Sequence, residues 1–206
     1  LRPGARDVLR SLRAAGLASV FLGIDGCTDE DLRRFRKGST AQDGRAAVEM
    51  LASLGIPTVI GAIPIHHRAT TESVCAALDY IDELMRLHPQ LTFRFLNHLF
   101  CFEGTELHRE HPVANCSRCC SDALAAAGSL WSQRFYRLAG GVSRRIHGTL
   151  PGDAMTRAWR ALCRWQVRSL RDLVTGRCDG EPADAYLGLV SEIVAATDIS
   201  QLFSLE

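Results

Sequence analysis

The apolar run from Ala18 to Ile24 ends in a carboxylate, Asp25. A short buried strand over 18–24 would carry that acid to its C-terminal end, where parallel α/β architectures keep their chemistry. There an ionised Asp can accept hydrogen bonds from hydroxyls or pair with an ammonium group. It can also simply cap the following turn. Four cations follow closely, Arg33, Arg34, Arg36 and Lys37, a cluster that also suits a solvated helix face. His66 and His67 close a second apolar run and could act as acid or base near neutral pH, or stand solvated in a loop. Further on, His108-x-x-His111 and Cys116-x-x-Cys119 place four nitrogen and sulfur ligands within 12 residues. Such a set could hold a tetrahedral zinc, although no helix or strand separates the two pairs as in ordinary fingers. The alternative is a loop with reduced, metal-free cysteines.

The elements that must position these residues read as alternating strands and helices. Strand candidates lie at 18–24, 57–63 and 91–98. A helix near 41–54 turns Ala46, Ala47, Met50, Leu51 and Leu54 inward, and one near 71–87 turns Val74, Leu78, Ile81 and Leu84 inward. Thr28 and Thr40 are N-cap candidates, each with an Asp three residues on. Strand, helix, strand, helix, strand at this spacing is a βαβαβ run, which requires parallel strands. The strands at 18–24 and 57–63 are apolar on both faces, which predicts cover on each side. Three such strands alone would leave open edges, so further strands are expected upstream or from another chain. The chain opens directly into a helical pattern with Val8, Leu9 and Leu12 on one face, which reads as the interior of a longer protein.

After Thr105 the character changes, and helical patterns follow near 121–138, 153–174 and 183–196. The division predicted is a βα region over 1–112 and a helical extension over 113–206. Within the extension Arg157, Arg160, Arg164, Arg168 and Arg171 recur at helical spacing, with Trp159, Leu162, Gln166, Leu170 and Leu173 mostly on the other side. That stripe could grip an anionic substrate, a leader peptide or a partner domain, or be a solvated face partly neutralised by Asp179, Glu181 and Asp184.

The totals set bounds. A chain of 206 residues buries roughly 70% of its unfolded surface. The hydrophobic share of 47% and charged share of 23% are ordinary for a globular protein. A net charge of +1 gives no general reason to expect nucleic acid. No apolar run has membrane-spanning length, and the first residues are not a signal peptide. Eight irregularly spaced cysteines fit reduced thiols and a cytoplasmic location.

The segment Val20 to Ile56, with Gly23-Ile24-Asp25 and Lys37-Gly38-Ser39-Thr40, resembles radical S-adenosylmethionine (SAM) enzymes of the cobalamin-binding type. In those enzymes a strand ends in Gly-Ile-Glu and a Lys-Gly-Thr-Thr turn follows. The likeness covers residues 7–108 or so. It extends through Gly61, Ile63 and Pro64 to Thr70-Thr71, and on to Phe102, Gly104 and Thr105, with Ile65 where many members have a second Gly. The resemblance implies the C-terminal part of a partial (β/α) TIM-like barrel with parallel strands, followed by the helical extension. It implies SAM across the strand ends, held by Asp25, Thr28, Arg34, Gly61, Ile63 and Phe102. Arg34 would meet the SAM carboxylate, and Gly61 and Ile63 would lie against adenine. The complete enzyme would use a [4Fe–4S] cluster and an external electron donor to cleave SAM reductively, starting radical chemistry on a small-molecule or peptide substrate. With a cobalamin domain upstream, methyl transfer to an unreactive carbon or phosphorus becomes one candidate outcome.

The cluster signature Cys-x-x-x-Cys-x-x-Cys is not in this sequence. Cys116, Cys119 and Cys120 give those spacings from one cysteine but not in series, so the ligands are expected upstream. The resemblance identifies no catalytic residue. Two other readings remain: a non-SAM α/β hydrolytic enzyme using Asp25 and the histidines, and a non-catalytic barrel remnant or zinc-stabilised interaction module.

Overall fold

The computed structural model describes residues 3–66, 68–99, 104–106, 109 and 152–177. Its elements are α1 (Ala5–Ala14), β1 (Val20–Asp25), α2 (Asp29–Arg34), α3 (Ala41–Ser53), β2 (Thr58–Ile65), α4 (Thr71–Leu87), β3 (Leu91–His98) and α5 (Gly152–Val174). The described residues form a mixed α/β fold around an open three-stranded parallel sheet of order β1-β2-β3. Val20 and Leu22 stand opposite Thr58 and Ile60, which stand opposite Leu91 and Phe93.

Local chemistry explains the helix starts. The Thr40 hydroxyl accepts from the Asp43 N–H, and the Asp43 carboxylate accepts from the Thr40 N–H, a complete capping box. Thr70 and Ser73 form a second one at the start of α4. The apolar face of α4 lies as its periodicity predicts, with Val74, Leu78, Ile81 and Leu84 fully buried. In α3 the inward positions shift: Val48 and Leu51 are buried, whereas Ala46, Ala47, Met50 and Leu54 are only partly so. The helix meets its neighbours along a narrow line, and Tyr80 of α4 donates its hydroxyl to the Ala41 carbonyl at 2.7 Å there.

Cover of the sheet is one-sided among the described residues. Thr58, Ile60 and Ala62 of β2 are buried, while the alternating Val59, Gly61 and Ile63 are half-buried. On β1, Phe21 is 71% exposed. The expectation that both faces are covered therefore holds only for the face under α4 and α5. Apolar side chains on both faces of a strand predict two-sided cover but do not supply it.

Helix α5 packs on β3 and α4, and Cys163, Trp165, Val167 and Leu170 join the core of the sheet. It also closes the outer edge of β3. The Phe93 N–H donates to Cys163 Sγ (3.2 Å), the thiol donates back to the Phe93 carbonyl (3.1 Å), and the Leu96 N–H donates to Gln166 Oε1 (3.2 Å). At the turn between α4 and β3, the guanidinium of Arg160 donates to the carbonyls of Met85, His88 and Leu91. The helical patterns near 121–138 and 183–196 lie outside the described residues. No described helix is long and apolar enough to cross a membrane.

Candidate functional site

β1 ends at Asp25, one residue beyond the predicted strand, and Asp25 adopts a left-handed backbone with φ 55°. The pairing register with β2 slips between Gly23 and Asp25, so one extra β1 residue is accommodated at the strand end. Asp tolerates this conformation better than most side chains, through short polar contacts. The result folds the carboxylate back over the sheet: a Cβ at Gly23 would sit 3.6 Å from Asp25 Oδ1 and 3.9 Å from Lys37 Nζ. Gly26 then lets the chain turn against α2, where any Cβ would collide with the Leu32 N–H at 2.8 Å.

The cation that meets Asp25 is Lys37, with Nζ to Oδ2 at 2.6 Å and both side chains about one-third exposed. Its position follows from how α2 ends. The Lys37 N–H donates to the Leu32 carbonyl and the Arg36 N–H to the Arg33 carbonyl, a Schellman closure with Arg36 at the left-handed position (φ 54°). Arg36 itself reaches Glu106, beyond β3, at 2.5 Å. Arg34 points elsewhere, pairing with Glu30 at 2.8 Å and lying 3.9 Å from Asp31. Thr28 is the N-cap of α2. Its hydroxyl accepts from the Asp31 N–H at 3.1 Å and donates to Asp31 Oδ2 at 2.7 Å.

Beneath this lies a buried pair. His66 Nε2 is 2.9 Å from Asp31 Oδ1, and both residues are almost wholly enclosed. The Arg68 N–H donates to His66 Nδ1, so Nε2 carries the proton toward Asp31. The Phe35 ring meets the His66 imidazole in a T-shaped contact, ring centroids 5.6 Å apart. Burial pushes the Asp31 carboxyl upward, but the hydrogen bonds from His66 and Thr28 and the nearby charge of Arg34 outweigh it and leave it below the usual range. His66 is thus neither a solvated loop histidine nor a proton acceptor facing the open sheet. It ties the end of β2 to α2. Cys27 is also buried, and burial, with Asp31 and Asp25 nearby, pushes its thiol strongly upward and keeps it protonated.

On the open sheet face Phe21 lies across Gly61: a Cβ there would come within 2.8 Å of the ring. The glycine is therefore needed by an aromatic of this chain. Ile63, half-buried, continues the same face toward the strand ends. Of the six residues that the resemblance implies for SAM, Asp25, Gly61 and Ile63 border this face, whereas Thr28 and Arg34 are engaged in and around α2. Phe102 lies outside the described residues, as do His67, His108, His111, Cys116 and Cys119. Among the described residues no three His, Cys, Asp or Glu side chains gather as a metal site.

Sequence reading missed the Asp31–His66 pair and passed over Lys37. Thr28-x-x-Asp31 is legible as a cap, but nothing in the spacing of Asp31 and His66 announces that they meet. No family model matches the chain, and no curated protein or solved structure is significantly similar to it.

Proposed function

We propose that this chain supplies the C-terminal βα units of a partial barrel of the radical SAM type, with SAM lying across the strand ends at Asp25. The observation that carries the reading is the delivery of the Asp25 carboxylate, by a left-handed residue and a register slip, onto the open face at the C-terminal end of a parallel strand. That carboxylate suits ribose hydroxyls or the methionyl ammonium. Lys37, rather than Arg34, is the cation placed to meet a ligand carboxylate beside it. Phe21 and Ile63 offer an apolar surface on the same face.

Asp25 and Lys37 suit the charged groups of SAM, whereas the three-cysteine signature of the iron–sulfur cluster is missing from the sequence. In this reading the cluster ligands come from a preceding half. Bound beside such a cluster and reduced by an external electron donor, SAM would supply the radical that starts chemistry on substrate. This chain's own part is to bind and orient the cofactor and to exclude water. Methyl transfer additionally requires a cobalamin domain outside these residues.

The test is the full-length protein purified without oxygen. It should contain about four irons with matching sulfide and cleave SAM when reduced, whereas the 206-residue chain alone should bind no such cluster. Iron-free protein with stoichiometric zinc would favour the interaction-module reading instead. A second reading, a non-catalytic barrel remnant, is favoured by Phe21 filling the space over Gly61. Iron-loaded protein that leaves SAM intact would support that one.

A further inference from the structure

The arginine stripe of α5 does not face open solvent along its whole length. Between α5 and the C-terminal half of α4 runs a cleft of about 570 Å³, within the size range of small-ligand sites. Met85 and Val167 line it with buried apolar surface, and Asp82 is the carboxylate in its wall. Against that one acid stand Arg86 from α4 and Arg160, Arg164, Arg168 and Arg171 from α5. The four on α5 follow one ridge, so neighbours are about 4.5–6 Å apart along the axis and repel one another.

The five guanidinium groups are not equivalent. Arg160 is spent on three backbone carbonyls, and Arg171 pairs with Asp79 at 2.8 Å and lies 3.7 Å from Asp82. Arg86, Arg164 and Arg168 are exposed and form no ion pair with a described residue. Three forks from two helices thus converge on one cleft, with a fourth and fifth charge behind them. A carboxylate offers two coplanar oxygens and satisfies one fork, whereas a phosphoryl group offers three terminal oxygens that several forks can share.

We propose that this cleft binds a small phosphate-bearing polyanion, with Arg164 and Arg168 gripping successive phosphoryl groups and Arg86 closing from the facing helix. The site lies where α4 runs into the start of β3, at the opposite end of the sheet from Asp25. It is therefore separate from the strand-end surface, and it stays open if chains associate through β1.

Isothermal titration of the 206-residue chain with sodium tripolyphosphate, at constant ionic strength, tests it. Saturable binding of one tripolyphosphate per chain is expected. The double variant Arg164→Gln/Arg168→Gln should weaken it at least about tenfold without lowering the ligand-free melting temperature. Citrate should bind at least about fivefold more weakly than tripolyphosphate. Asp25→Asn should leave the affinity unchanged, which keeps this site distinct from the strand-end one. Absence of saturable binding, equal binding by the double variant, or citrate binding as tightly as tripolyphosphate would each overturn the proposal.

Discussion

Asp25 and Asp31 flank the same turn but hold their charges differently, and substitutions separate their roles. Asp25 is partly solvated and paired with Lys37. Asp25→Asn keeps the shape and removes the charge, so under the proposed function SAM affinity of the longer protein should fall by about 1.5–3 kcal/mol, read by equilibrium binding. Folding stability should change little, because so exposed a pair contributes about 0–1 kcal/mol. Unchanged affinity with a lowered melting temperature would reduce Asp25 to a turn residue. Asp31 is enclosed, and its folded pKa is lowered. The folded state therefore holds that proton less tightly than the unfolded chain does. Its contribution to stability is full above the ordinary Asp range, near pH ~4, and is lost as pH falls through that range and past the depressed folded value. Asp31→Asn should cost about 1–3 kcal/mol at neutral pH, since His66 loses its ionised acceptor. Denaturant titrations should show the gap between native protein and variant closing on acidification. A gap independent of pH would mean that the pair carries no linkage.

Two joints between elements set the geometry. The first is the end of α2, where Arg36 occupies the left-handed position that Gly55 takes after α3. A side chain there costs about 1–2 kcal/mol, which the added backbone freedom of glycine in the unfolded chain partly offsets. Arg36→Gly should thus raise stability by about 0.5–1 kcal/mol in thermal or denaturant unfolding, because its exposed partner Glu106 contributes little. A loss of stability would show that the Arg36–Glu106 link to the segment beyond β3 outweighs the strain. The second joint is α5 on β3. The periodicity of 153–174 puts polar Gln166 on the apolar side of its helix, and the fold gives the reason: its amide oxygen closes the N–H of Leu96 at the sheet edge. Cys163 does the same for Phe93, and burial pushes its thiol up to about 12, so it remains protonated and able to donate. On the stripe opposite, Arg171 finds Asp79 and Asp82 on α4, whereas Asp179, Glu181 and Asp184 lie outside the described residues.

At the scale of the molecule the two sheet edges are unequal. α5 covers β3, whereas among the described elements only β2 packs substantially against β1. β1 is apolar and free of Pro or Lys, with Phe21 exposed on its open face, a combination that templates strand addition. The 206-residue polypeptide should therefore self-associate, while a longer chain carrying the further strands of the proposed barrel should be monodisperse, as sedimentation velocity would report. A monomeric chain that melts cooperatively would show that the three strands close their own core, and would remove the argument for a larger barrel.

The parallel βαβαβ order, the spans of β3 and α4, the buried face of α4 and the arrival of a carboxylate at a strand end were all legible in the sequence, because each rests on local period or capping chemistry. Which cation meets Asp25 was not legible, since four lie within a few residues and the closure of α2 selects Lys37 through a hydrogen-bond pattern that Arg36 forms without a glycine. The partnership of Asp31 with His66, the burial of Val48 rather than Ala46 and Ala47, the stacking of Phe21 over Gly61 and the closing of β3 by α5 join residues distant in the chain. Such contacts depend on how twisted strands and helices come together, and periodicity along one element carries no record of the side chains supplied by another.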